Sequence, residues 1–309
     1  MKSADLGVSQ VRLKVNRGGW FLVGVPIATA VLLATQTNGL LPAAPVDPQY
    51  RYPYSETLSQ LSPIARIEQE IATYQQRLRN SQSAIDQAAL ATAYLKMARM
   101  TGAGNWYLLA DRTAQASLTK LPYDNVEAQI ALARVAEAQH DFARSLQLAA
   151  QLPEADAIAL QTTAYLATGK LLQANVAADR LVDATLGTNA FTLQAIVQLA
   201  QGEDDAALQS FQQAIAVEEP GELSSSAQVR TLLGRYYAER GDLDRADALY
   251  REALRILPNS PQAKLNLAQI ELRRGHYRQA DRLYAEITQS AQGNATVFDP
   301  LILARSCPN

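Results

Sequence analysis

Residues 227–260 (AQVRTLLGRYYAERGDLDRADALYREALRILPNS) and 261–294 (PQAKLNLAQIELRRGHYRQADRLYAEITQSAQGN) align without a gap at a period of 34 residues. A fixed period of this length marks a stack of like units, each too small to bury its apolar face alone. Leu233 falls over Leu267, Gly234 over Ala268, Gly241 over Gly275, Ala246 over Ala280 and Tyr250 over Tyr284; the first copy adds Tyr237, Ala253 and Pro258. Small residues at places 8, 20 and 27 of the unit let two helices approach closely. Leu at place 7 and the aromatic at 24 fill the space between neighbouring helices. Glycine at 15 takes a turn where a positive φ is needed. Proline near 32 ends the second helix, because it lacks an N–H and restricts the residue before it.

The pattern extends backwards with decreasing fidelity. Residues 188–221 carry Ala195, Gly202, Ala207, Phe211 and Ala214, with Pro220 one place late and a short insert at 222–226. Residues 155–187 keep Tyr165, Gly169 and Ala174 but have Ala178 at the aromatic place. Residues 126–154 are a shortened copy with Ala133, the turn His140-Asp141-Phe142 and Pro153. Residues 88–122 read as a longer hairpin turning at TGAGN, and Ile67, Ile71, Tyr74 and Leu78 form one stripe of a leading packing helix over 63–79. Ala, Leu, Gln, Glu and Arg dominate these stretches, and alternating β-branched runs are scarce, so the expected class is all-α.

This set of residues resembles the tetratricopeptide-repeat (TPR) family over roughly residues 83–294, most specifically at the C-terminal end. The resemblance implies a right-handed superhelical solenoid of antiparallel helix pairs over 63–294, about six hairpins, with 295–309 as a cap or tail. It also implies a concave surface lined by the first (A) helix of each pair, whose places 2, 5, 9, 12 and 13 meet a protein or peptide. Carried onto the best copies, these are Asn189, Thr192 and Ile196; Gln228, Thr231, Arg235 and Glu239; and Gln262, Leu265, Gln269 and Arg273. Amides, hydroxyls, two arginines and some apolar contacts suit an extended peptide or a partner helix. Arg235 and Arg273 are anchors for an acidic partner or solvated side chains. The clamp by which some relatives grip a terminal carboxylate is absent: Asn266 occupies one of its places, but Thr231 and Arg235 stand where Lys and Asn are required.

The N-terminal region is of another kind. Residues 1–19 are basic, with Lys2, Arg12, Lys14 and Arg17 against Asp5. Residues 20–41 contain no charge; as a helix they measure about 33 Å, enough to span a bilayer. The strictly apolar core, 20–34, also has the length of a signal-peptide h-region, but Thr37-Asn38-Gly39 is a poor cleavage site and Pro45 spoils cleavage after Ala44. The favoured reading is an uncleaved transmembrane signal anchor with a cytoplasmic N-terminus, which places the repeats on the periplasmic or extracytoplasmic side. Secretion after cleavage and a buried core helix are the alternatives. Residues 42–62 form a linker in which Pro42, Pro45, Pro48 and Pro53 alternate with Tyr50, Tyr52 and Tyr54. This composition favours extended polyproline II and reads as a spacer, with a docking peptide as the alternative.

Chemistry is not encoded in any recognisable motif. The net charge of −2 argues against a general nucleic-acid binder, although it is uneven: residues 120–226 hold 5 basic and 14 acidic side chains, residues 227–294 hold 11 and 8. Cys307 is the sole cysteine, so neither an internal disulfide nor a Cys-based metal site is expected. His140 and His276 fall at turns several units apart, too far to share a site across stacks spaced at about 8–10 Å. Gly169-Lys170 lacks the upstream glycine of a P-loop, and Glu203-Asp204-Asp205 lacks the spacing of a calcium loop. The expectation is a non-enzyme without cofactor or metal: a membrane-anchored adaptor, or alternatively a helper that presents client polypeptides during envelope or cofactor biogenesis. An unrecognised enzyme or receptor is the remaining class.

Overall fold

At the fifteenth place of the repeats, Gly169, Gly202, Gly241 and Gly275 have φ of 73°, 81°, 83° and 78°, and each reverses the chain between two helices. The worn copy makes the same turn with His140 at φ 60°, a conformation that costs a side chain roughly 1–2 kcal/mol. The computed structural model describes residues 44–54 and 63–290. Among these are thirteen α-helices and no strand.

After a leading helix α1 (Pro63–Asn80), six hairpins follow. Their A helices are α2 (Ala84–Thr101), α4 (Val126–Ala138), α6 (Glu154–Ala167), α8 (Thr188–Gln201), α10 (Leu223–Glu239) and α12 (Pro261–Arg273). The B helices are α3 (Asn105–Lys120), α5 (Phe142–Ala149), α7 (Leu171–Thr185), α9 (Asp204–Ala216), α11 (Leu243–Ile256) and α13 (Tyr277–Ser290). Local signals start them. Asp141 and Asp242 accept the amide hydrogens of Arg144 and Arg245 at the heads of α5 and α11, and Ser260 does so for Ala263 ahead of Pro261. The insert at 222–226 lengthens α10 by a turn at its N-terminus.

Each hairpin packs on the next, and successive A helices from α2 to α12 also touch one another. The small places of the pattern are sealed: Ala195, Ala207, Ala214, Ala246, Ala253, Ala268 and Ala280 have no exposed surface. Gly234 leaves no room for a side chain, because a Cβ there would lie 2.6 Å from Tyr250 Cε1. Between the last two hairpins, apolar packing of Leu249 against Leu267 and Ile270 is joined by an ion-pair network built on the buried carboxylates Asp247 and Glu271. Arg251 bonds Asp247 at 2.7 Å and Glu271 at 2.9 Å, and Glu271 also meets His276 Nδ1 at 2.7 Å.

The linker differs from the spacer that its composition suggested. Residues 44–54 lie along α10 and α11 instead of standing away from the repeats, with Tyr50 4% and Tyr52 1% exposed. Tyr52 shares an apolar cluster with Met100 of α2, Leu223 and Ala227 of α10, Ala253 and Ile256 of α11, and partly buried Ile64 and Ile67 of α1. The strap therefore joins the first helices of the array to the fifth hairpin. No helix among the described residues is long and apolar enough to cross a membrane; the uncharged stretch at 20–41 and the tail at 295–309 lie outside the described residues.

Candidate functional site

The eleven side chains expected on the groove divide into three groups. Asn189, Gln228, Arg235, Glu239, Gln262 and Arg273 are exposed, and Ile196, Leu265 and Gln269 are half-buried. Thr192 and Thr231 are buried, which corrects the expectation for them. Their hydroxyls donate to the carbonyls one turn earlier, Thr188 at 2.6 Å and Ala227 at 2.7 Å. A short β-branched side chain can satisfy its hydroxyl inside its own helix, so it turns toward the neighbouring helix without leaving a polar group bare.

Arg235, Glu239 and Arg273 are near enough to Tyr250 for their charges to act on its phenol. Arg235 Nε stands 3.6 Å from Glu239 Oε1 one turn along α10. Arg273 reaches across from α12 and donates to the Ala238 carbonyl at 3.1 Å, which supports the C-terminal end of α10. Burial pushes the Tyr250 phenol well above its ordinary value, opposed by the charges of Arg235 and Arg273. Gln262 donates to Asn266 Oδ1 at 3.0 Å, so that asparagine, itself buried, is engaged within α12. The two arginines thus present partly compensated positive charge.

Further along the A helices lies a polar cavity of about 390 Å³, lined by Arg134 of α4, Asp156 of α6, Asn189 of α8 and, beyond α9, Glu219 and Glu222. Arg134 bonds Glu137 at 2.9 Å. Burial raises the Glu137 carboxyl pKa despite Arg134. Burial and the like charge of Arg134 lower Arg99 of α2. Of this set only Asn189 is legible from the repeat alignment, because the earlier repeats are too worn to assign groove places. Among the described residues no group of three or more His, Cys, Asp or Glu side chains is arranged to hold a metal ion.

The second constellation is the seat of the strap. Arg230, fully buried on α10, makes a two-pronged pair with Glu218 of the α9–α10 connection and donates to the Ser226 carbonyl at 2.8 Å and the Tyr50 carbonyl at 2.7 Å. Glu252 of α11 accepts the Tyr52 amide hydrogen at 2.8 Å. Burial raises the Glu252 carboxyl, but hydrogen bonds from Arg255 and the Tyr52 amide, with the charges of Arg255 and Arg230, outweigh it and hold the pKa below the ordinary value. Tyr54 donates to the Glu218 carbonyl at 3.0 Å, and the Tyr50 and Tyr237 hydroxyls stand 3.4 Å apart.

The described residues form a stack of helical hairpins whose later A helices carry exposed amides and arginines. Residues 237–299 match the tetratricopeptide-repeat family model. That match spans the end of α10 and helices α11 to α13, and the earlier described helices continue the same hairpin stack. Among solved structures, the Cut9–Hcn1 hetero-tetramer of the APC/C is similar with a TM-score of 0.56 at 16% identity, over 82% of this chain and 49% of that one. The chain thus spans about half the length of that neighbour. A thermophilic TPR protein of Thermus thermophilus is similar with a TM-score of 0.50 at 23% identity, over 59% of this chain and 99% of that one. At these identities the likeness is one of fold. No curated protein matches the sequence.

Proposed function

We propose that this chain is a membrane-anchored, non-catalytic TPR adaptor that assembles protein complexes on the outer, periplasmic or lumenal, side of a membrane. The observation that carries the binding surface is the run of exposed side chains on three adjacent A helices: Asn189 on α8, Gln228, Arg235 and Glu239 on α10, and Gln262 and Arg273 on α12. Only two of these, Arg235 and Arg273, carry positive charge, and they share one neighbourhood around Tyr250. An acidic or amide-rich extended segment, or a helix with such a face, complements them. Anchoring is supported by the 22 uncharged residues at 20–41 behind a basic leader, and it raises the local concentration of a captured partner.

The test is a pull-down from detergent-solubilised membranes with wild type and an Arg235→Glu/Arg273→Glu variant. Loss of one stable partner in the variant supports the adaptor. Loss of a shifting set of unfolded polypeptides favours the client-presenting helper. Binding that is unchanged sinks the groove assignment. The anchor is tested separately, by carbonate extraction: the full chain stays with the membrane pellet, and deletion of residues 20–41 releases it.

A further inference from the structure

After a single 3-10 turn at Pro48–Tyr50, the chain turns extended at Arg51 and residues 51–54 dock as an extended ligand docks. Tyr50, Tyr52 and Tyr54 alternate with exposed Arg51 and Pro53, the period-two pattern of a strand that buries one face. The cleft holds main chain and side chains by different means. Arg230 Nε donates to the Tyr50 carbonyl at 2.7 Å, Glu252 accepts the Tyr52 amide at 2.8 Å, and Arg255 approaches the Tyr52 carbonyl at 3.4 Å. These three contacts fix direction and register for an extended chain whatever its side chains are. The rings supply selectivity: Tyr52 is enclosed, with the Arg230 guanidinium 5.7 Å from its ring centre. Tyr50 meets Tyr237, and Tyr54 reaches the Glu218 carbonyl.

The fit is incomplete in two independent respects. The Tyr52 hydroxyl is buried with no hydrogen-bond partner, as is the Ser226 hydroxyl one turn before Arg230. A cavity of about 530 Å³ also remains between strap residues 44–51 and Asp244, Arg245, Ala248 and Leu249 of α11. A segment that existed only to staple the fold would be expected to fill its seat.

We propose that the α10–α11 cleft is a recognition site for an extended Tyr-x-Tyr-x-Tyr segment of a partner polypeptide, and that residues 44–54 occupy it in cis as a competing ligand. The site uses none of the exposed A-helix residues assigned to partner binding above, so each reading fails or survives without the other. A tethered occupant acts at an effective concentration of order millimolar, so a partner captures the cleft only when its own segment fits better or the strap is drawn out.

The experiment uses a fluorescein-labelled peptide of residues 44–54 and fluorescence anisotropy with the full chain in detergent. A Tyr50→Ser/Tyr52→Ser variant, whose own strap cannot seat, is expected to bind the peptide at least tenfold more tightly than wild type does. A peptide with Tyr50 and Tyr52 replaced by alanine binds neither protein. Absence of binding to a variant that keeps wild-type helical circular dichroism, or equal binding to both proteins, overturns the proposal. If the double substitution unfolds the chain, a protease site placed within residues 55–62 frees an unaltered strap after cutting. The labelled peptide then replaces it if the proposal holds, and its failure to exchange refutes it. Light scattering of wild type covers the remaining occupant: a concentration-dependent dimer that the peptide dissolves assigns the cleft to a second copy of this chain and overturns the partner reading.

Discussion

The ring of Tyr250 occupies the space in which a side chain at position 234 would begin, with Cε1 2.6 Å and Cδ1 2.9 Å from where a Cβ of Gly234 would lie. Tyr250 is 1% exposed and walled by Leu233, Leu249 and Leu267, so it has little room to yield. Gly234→Ala is expected to lower stability by about 1–3 kcal/mol, the usual cost of forcing a methyl into a filled core. Denaturant unfolding checks this, with Gly234→Ala/Tyr250→Leu as the relieved control. A single variant as stable as wild type would show that the contact is easily adjusted. The equivalent pair one repeat later, Ala268 and Tyr284, carries the methyl, and there Tyr284 is only half-buried.

Tyr52 offers a prediction in the opposite direction. Its ring is sealed, yet its hydroxyl has no partner. Removing a buried, unpaired hydroxyl relieves a desolvation cost of about 1–3 kcal/mol, less whatever dispersion the oxygen contributes. Tyr52→Phe is therefore expected to match or exceed wild-type stability, whereas Tyr52→Ala loses about 3–5 kcal/mol. Paired thermal and urea melts measure both. A Phe variant that is clearly weaker than wild type would mean that the hydroxyl is satisfied in solution.

Arg230 and Glu218 are both buried, with 0% and 1% of their side chains exposed. Breaking such a pair from one side strands a charge in the interior, at a cost of about 3–5 kcal/mol. Arg230→Met is expected in that range. Arg230→Met/Glu218→Leu recovers part of it, but not the bonds to Tyr50 and Ser226. A double-mutant cycle in urea gives the coupling, and additivity of the two single changes would contradict the pairing.

The strap also has a pH dependence with a definite sign. The Glu252 carboxyl has its folded pKa lowered below the ordinary value of 4.5. A lowered carboxyl contributes stability that is present above the unfolded value and disappears as pH falls through the folded one. Docking of residues 44–54 should therefore persist through neutral pH and weaken below about 4.5. Near-ultraviolet circular dichroism of the buried tyrosines follows it, and Glu252→Gln should flatten the response. An unchanged acid transition in that variant would assign it elsewhere.

What is readable in the sequence, and what is not, follows the range of the interactions. Gly202, Gly241 and Gly275 name their turns because a positive φ is a local demand. Ala207, Ala246 and Ala280 name the close helix crossings because the partner helix lies within the same hairpin. Thr192 and Thr231 leave the expected surface because a hydroxyl can bond its own helix, a choice the repeat pattern does not record. The strap is the largest gap. Its prolines and tyrosines announce an extended chain, but Glu252 lies 200 residues from Tyr52 and Arg230 180 from Tyr50, and nothing in either neighbourhood points to the other.

That separation changes how the molecule must fold. In an ordinary hairpin array each unit depends only on its neighbours, so structure can nucleate anywhere and fray from either end. Here the strap and α1 share a cluster with α10 and α11, so native structure requires a loop of most of the chain to be brought together. Such a contact raises contact order and is slow to form. It also removes the freedom to unzip one hairpin at a time: Met100 and Leu223 lose their shared packing together. The protein is built from one-dimensional parts, yet it is expected to unfold across its first and fifth hairpins as a single cooperative body.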